Sequence, residues 1–127
     1  MAKLHLRPLW IAVLVVLPLA ASAQSPQPRT FHVSNTTPNC RDASTVSHQV
    51  CLPASERIGH VAVTTTSVNG NHAQVVSQQI DPGRPNCATI VTTVSPFGED
   101  CANLGFSKVC NCKGRGWIEV NVTLTPG

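Results

Sequence analysis

The chain has 127 residues, a formal charge of +3, 12% charged residues and six cysteines. A chain of this length holds one small domain. Beyond residue 23 its seven Lys and Arg form no cluster larger than Lys113-Gly114-Arg115, and nucleic-acid binding requires a patch or stripe of positive charge that neutralises several phosphates, so nucleic acid is excluded as an expected partner.

Residues 1–23 read as a cleavable export signal. Lys3 and Arg7 supply positive charge, Leu9 to Leu17 is an unbroken apolar run ended by Pro18, and Ala21-Ser22-Ala23 offers the small residues of a cleavage site. The run is nine residues long, well short of the roughly 18 to 20 that a membrane helix needs, so no membrane span is expected after cleavage. Removing Lys3 and Arg7 lowers the formal charge from +3 to +1, because all six acidic residues stay. The expected destination is therefore outside the cytoplasm, secreted or periplasmic, where thiols oxidise.

Residues 24–30, Gln-Ser-Pro-Gln-Pro-Arg-Thr, contain two prolines and nothing apolar, which predicts a flexible leader before a single domain over 31–127. Phe31 and Val33 begin a first strand, and Val46 to Leu52 form a second, stopped by Pro53. Residues 58–68 and 72–80 are β-branched and partly alternating, and Asn69-Gly70 between them favours the type I′ turn of a hairpin. Asp81 to Asn86 carries Pro82 and Pro85 and reads as a loop. Cys87 to Ser95 is the next strand, residues 96–100 turn the chain, and Leu104 to Cys112 returns. In the last strand Ile118, Val120, Val122 and Leu124 share one face, while Trp117, Glu119, Asn121, Thr123 and Thr125 share the other. That alternation predicts a half-buried strand with one face on the core. The whole predicts an all-β domain, a small antiparallel two-sheet sandwich or barrel of about six or seven strands, cross-linked by disulfides.

The cross-links answer an energetic need. A domain this small buries only about 60 to 68% of the surface its unfolded chain exposes, and beyond residue 23 the chain has one tryptophan, three phenylalanines and no tyrosine or methionine. Cys40, Cys51, Cys87, Cys101, Cys110 and Cys112 predict three disulfides. A hairpin between residues 87–95 and 104–112 would oppose Cys87 to Cys112. The favoured set is then Cys87 with Cys112, Cys110 with Cys101 or an N-terminal cysteine, and Cys40 with Cys51.

The residue chemistry points to binding more than to catalysis. Thr64 with Thr66 and Thr123 with Thr125 place hydroxyl pairs on strand faces, and Trp117 offers an indole able to stack on a sugar or anchor a protein contact. Asn35 and Asn121 head the two Asn-x-Ser/Thr sequons and are candidate glycosylation sites. No Gly-x-Ser-x-Gly elbow is present, Glu99 and Asp100 are adjacent rather than facing, and Cys110-Asn111-Cys112 lacks the Cys-x-x-Cys spacing of exchange enzymes. His32, His48, His60 and His72 are scattered, so no metal or cofactor is expected. The favoured expectation is a non-catalytic exported interaction protein, a surface or assembly component that binds an extracellular protein or glycan, with self-association as a variant. The alternatives are a small secreted hydrolase, or an inhibitor or toxin-like effector using the loop at Asp81 to Asn86.

Overall fold

A computed structural model describes residues 27–127. The predicted export signal and residues 24–26 of the predicted leader lie outside the described residues. The described chain is all-β, with eight strands: β1 (Arg29–Thr36), β2 (Ser44–Cys51), β3 (Ile58–Asn69), β4 (Asn71–Asp81), β5 (Arg84–Ser95), β6 (Gly98–Asn103), β7 (Lys108–Gly114) and β8 (Trp117–Pro126). The count exceeds the expected six or seven because residues 98–103, read as part of a turn and its approach, form a strand of their own. Arg29 and Thr30, assigned to the leader on composition, already belong to β1, opposite Leu124 and Thr123.

The strands form two three-stranded antiparallel sheets, ordered β1-β8-β3 and β2-β5-β4, and a two-stranded ribbon, β6-β7. The two sheets meet through their central strands. Ile118, Val120, Val122 and Leu124 of β8 and Ala88, Ile90 and Val94 of β5 are buried in one apolar cluster, joined by Val50, Leu52 and Ile58. Phe31, Val33, Val61, Val63, Ala73 and Val75 from the outer strands close over its sides. The period-two alternation of β8 thus does what it predicts, one face inward and the other outward.

The Asn69-Gly70-Asn71 step is not a hairpin turn. β3 pairs with β8, β4 pairs with β5, and the chain crosses at Gly70 from one sheet to the other. Val61 and Val63 in β3 and Ala73 and Val75 in β4 pack on the same core, each from its own sheet, so the apolar side chains on both sides of Gly70 are taken out of water by a shared cluster. Gly70 sits at φ 129°, and a Cβ there would stand 2.6 Å from the Ser95 carbonyl oxygen and 2.9 Å from Gly116 Cα. The glycine is needed for close approach at this crossing, and His72 no longer faces Ser67 as a hairpin register requires.

The loop expected at Asp81 to Asn86 contracts to Pro82-Gly83 between paired Asp81 and Arg84, and Pro85 stands within β5. The ladder to β4 jumps from Ala88 opposite Ile80 to Arg84 opposite Asp81, leaving residues 85–87 as a bulge on that side. A missing N–H costs no ladder bond there. The six-residue loop expected at this position is therefore replaced by a tight turn.

All six cysteines are joined, as Cys40–Cys112, Cys51–Cys87 and Cys101–Cys110. Two of the favoured pairings are corrected: Cys87 bonds Cys51, and Cys112 bonds Cys40. The antiparallel ladder of β2 and β5 sets Cys51 directly opposite Cys87. Because β6 intervenes, β7 pairs with β6 and not with β5, which opposes Cys101 to Cys110 and leaves Cys112 to reach the β1–β2 loop.

Leu124, wholly buried, and Thr125 on the opposite face of β8 separate core from surface. Leu124→Ala is expected to cost about 2 to 5 kcal/mol through lost burial and a residual cavity, whereas Thr125→Ala is expected to stay within about 0.5 kcal/mol. Urea unfolding monitored by Trp117 fluorescence measures both.

Candidate functional site

Two surfaces stand out, the outer face of the β1-β8-β3 sheet and the ribbon. The register of that sheet lays Trp117 between Thr36 and Asn69, Asn121 between His32 and Thr64, and Thr123 between Thr30 and Ala62, with Thr125 opposite His60. The five residues singled out for binding, Trp117, Thr64, Thr66, Thr123 and Thr125, therefore come from two adjacent strands. A bulge between Thr65 and Ser67 breaks the expected Thr64–Thr66 repeat, so that Ser67 takes the place opposite Glu119 and Thr66 donates its hydroxyl to the Glu119 carbonyl oxygen at 3.2 Å. Ser67 Oγ accepts the indole N–H of Trp117 at 3.3 Å, and the indole remains 39% exposed. Ser67 is thus a positioning partner that strand alternation alone does not reveal.

Around this indole the face is polar and internally bonded. His32 Nδ1 lies 2.9 Å from Asn121 Oδ1, and its Nε2 lies 4.0 Å from a Glu119 oxygen. Thr30 and Thr123 hydroxyls share a hydrogen bond of 2.9 Å. On the other sheet Asp81 accepts hydrogen bonds from Gln49 Nε2 and the Thr89 hydroxyl, both at 2.7 Å. Those bonds, Thr89 first, hold the Asp81 carboxyl below the usual carboxylate range. The carboxylates of Asp81 and Glu119 thus stand on different sheets.

Asn35 differs from Asn121. Its position opposite Ile118 turns it to the core, where it is 3% exposed. Its Nδ2 donates to the Ser44 carbonyl oxygen at 3.0 Å and to the Thr92 carbonyl and hydroxyl oxygens at 3.2 Å. Asn35 Nδ2, the nitrogen a glycan would need, thus ties β1 to β2 and β5. Asn121 keeps its place on the outer face. The same Thr92 hydroxyl lies 3.0 Å from His48 Nε2, and burial pushes the His48 imidazole below its ordinary pKa of 6.5.

The second surface is the ribbon. Its base is fastened by the Phe97 N–H donating to the Gly114 carbonyl oxygen at 3.0 Å, by the Cys40–Cys112 disulfide, and by an ion pair of 3.2 Å between Arg41 and Glu99. The loop that supplies Cys40 and Arg41 is itself ordered: Asn39 Oδ1 accepts the backbone N–H groups of Arg41 and Asp42, and Asn39 Nδ2 donates to the Asp42 carboxylate. Thr37 fixes it to the start of β8 through reciprocal bonds with Gly116. Midway along the ribbon Cys101–Cys110 staples the strands to each other. Beyond the staple the tip reads Leu104-Gly105-Phe106-Ser107, with Gly105 at φ 85° and Leu104 N–H donating to the Ser107 carbonyl oxygen at 2.7 Å. Phe106 is 97% exposed and Leu104 57%, with Val109 beside them also exposed.

Among the described residues, Glu99, Cys101 and Cys110 bring three atoms of metal-ligand type within 4.8 Å of one another. The two sulfurs are joined to each other and Glu99 is paired with Arg41; metal ligation by cysteine needs the thiolate, so this cluster is a staple beside an ion pair. No helix among the described residues is long and apolar enough to cross a membrane.

Comparison of the chain with protein-family models, with curated proteins and with solved structures finds no match.

Two outcomes follow from these placements. As pH falls, the unfolded chain takes up a proton on its freed His48 before the folded chain does, so the contribution of a neutral His48 is complete above about pH 6.5 and declines as pH drops through the lower folded value. Thermal midpoints recorded from about pH 7 down to pH 5 should fall, and His48→Gln should flatten that slope. For the cross-links, replacing Cys40 and Cys112 by Ser opens a loop of 72 residues and should cost up to about 4 kcal/mol, whereas the same change at Cys101 and Cys110 opens only nine and should mainly speed amide exchange in the ribbon.

Proposed function

We propose that the protein is an exported, non-catalytic interaction domain in which a two-sheet sandwich serves as the base for a presented β-ribbon. The observation that carries this reading is the ribbon tip: Phe106 is 97% exposed on a stem held by two disulfides and the Arg41–Glu99 ion pair. Exposing an aromatic and a leucine to water costs burial free energy, about 25 cal/mol for each Å² of apolar surface left in water. A cross-linked stem lowers the entropy lost when such a tip is held by a partner. The export signal read from residues 1–23 agrees with a framework that depends on oxidised cysteines. Against a hydrolase stands the use of its acidic groups: Asp42, Asp81 and Glu99 are each engaged in a local structural bond.

A second reading rests on Trp117. Its partly exposed indole, held by Ser67, stands on the same outer face as Thr64, Thr123 and Thr125, an arrangement suited to stacking on a glycan or contacting a protein.

Saturable binding of the labelled oxidised protein to intact producer cells and to extracellular matrix extract tests both readings. Phe106→Ser is expected to abolish binding with circular dichroism unchanged. Binding lost instead with Trp117→Ala transfers the function to the sheet face, and no saturable binding by the unmodified protein removes the interaction reading.

A further inference from the structure

The ribbon tip stands clear of the atoms around it. Phe106 is 97% exposed, and a Cβ added at Gly105 would meet no atom within 4 Å. In the ladder Cys101 opposes Cys110 and Asn103 opposes Lys108, so these four side chains share one face of the ribbon, while Ala102 and Val109 oppose each other on the other face. Ala102, Leu104, Phe106 and Val109, all exposed, therefore cap the part of the ribbon beyond the staple with apolar surface. Between Cys101 and Cys112 the sequence holds one charged side chain, Lys108, and it too is exposed. The carboxylates nearest in the chain, Glu99 and Asp100, lie on the other side of the staple, and Glu99 is held by Arg41 at 3.2 Å.

Two backbone donors of the tip are already bonded within it. Leu104 N–H donates to the Ser107 carbonyl oxygen at 2.7 Å, and Gly105 N–H donates to Asn103 Oδ1 at 3.2 Å. A segment that enters an apolar phase must satisfy such groups internally, because no water is left to do so. A protein pocket makes no such demand, since it brings polar groups of its own to orient what it holds. The lone cation adds a second condition: its charge must stay hydrated or meet an anion while the apolar side chains beside it leave water. The boundary between headgroups and acyl chains meets both conditions, with phosphate oxygens for the Lys108 ammonium at the end of its long stem. We propose that the ribbon tip inserts Phe106 and Leu104 into the interface of a lipid bilayer that carries anionic headgroups, with Lys108 on the phosphates. This inference rests on the reading of the ribbon as a presented binding element and names its partner. So small an apolar cap with one cation holds a surface weakly, so attachment is reversible and no tighter than the roughly 10⁴ M⁻¹ of a single myristoyl chain.

Flotation of the purified oxidised protein with vesicles at millimolar lipid is the test, using phosphatidylcholine alone and an equimolar mixture with phosphatidylglycerol. The unmodified protein should float with the anionic vesicles, less so as salt is raised. Phe106→Ser should bind them at least about tenfold more weakly, and Lys108→Gln should lose the preference for anionic over zwitterionic vesicles; both positions are exposed, and unchanged circular dichroism checks that each variant is folded. Phe106→Trp should keep binding, and its added fluorescence should shift to the blue on the anionic vesicles and be quenched by brominated acyl chains, which only insertion explains. An unmodified protein that floats with neither vesicle, a Phe106→Ser variant that floats as well as the unmodified protein, a Lys108→Gln variant that keeps the full anionic preference, or an added tryptophan that neither shifts nor is quenched overturns the inference. If vesicle binding fails while binding to intact cells still depends on Phe106, the ribbon reading stands and the tip serves a protein or a glycan. If cell binding is also absent or is indifferent to Phe106→Ser, the ribbon reading falls with it.

Discussion

The structure depends on the packing of β8 against β5. Each is the central strand of its sheet, and each turns a row of side chains inward: Ile118, Val120, Val122 and Leu124 from one, Ala88, Ile90, Thr92 and Val94 from the other. Most of these side chains are β-branched and none is aromatic, so each removes less area from water than an aromatic ring would. The stabilisation comes from their being wholly buried together and from four outer strands that close over the sides of the cluster. The polar member of the row, Thr92, is accommodated because its hydroxyl meets Asn35 and His48, which satisfies a group that would otherwise be costly in an apolar core.

That packing dictates where the cross-links are useful. Cys51–Cys87 joins neighbouring strands at one end of the β2-β5-β4 sheet, where the ladder continues only through Leu52 and Asn86. At the other end the chain leaves the sheets after Ser95 and returns at Trp117, and the intervening ribbon contributes nothing to the main apolar cluster. Cys40–Cys112 and the ordered loop around Asn39 anchor it. A two-stranded hairpin alone is marginal in water, so the Cys101–Cys110 staple supplies order that packing does not. The result is a cross-linked ribbon whose apolar tip is exposed to solvent.

Several features are legible in the sequence because they depend on neighbours in the chain. The inward row of β8, the strand character of 58–68 and 72–80, and the disulfide bonding of the cysteines follow from alternation, β-branching and an even cysteine count. Asn69-Gly70 misleads for an instructive reason: the dipeptide favours a hairpin turn, but the valines flanking it on both sides pack on one core from two different sheets. The ribbon tip is hidden for a related reason. Placing residues 96–100 in a turn pairs 104–112 with the wrong strand, which puts Phe106 within a sheet and sends Cys112 to Cys87. Two cysteines nine positions apart, Cys101 and Cys110, around Leu104-Gly105-Phe106 are the local sign of a stapled hairpin.

What the amino-acid sequence determines by itself is the period of its strands, which side of β8 is apolar, and a balance of charge without the basic patch that a nucleic-acid surface requires; each is a property of residues close together along the chain. Which strands become neighbours, which cysteines meet, that Asn35 points into the core while Asn121 points out, and that an apolar tip is left exposed on a ribbon outside the core were decided only in three dimensions. The physical reason is that burial is shared between segments far apart in the chain, and only when the two sheets close on a common core does it become clear which apolar side chains have been left without a place in it.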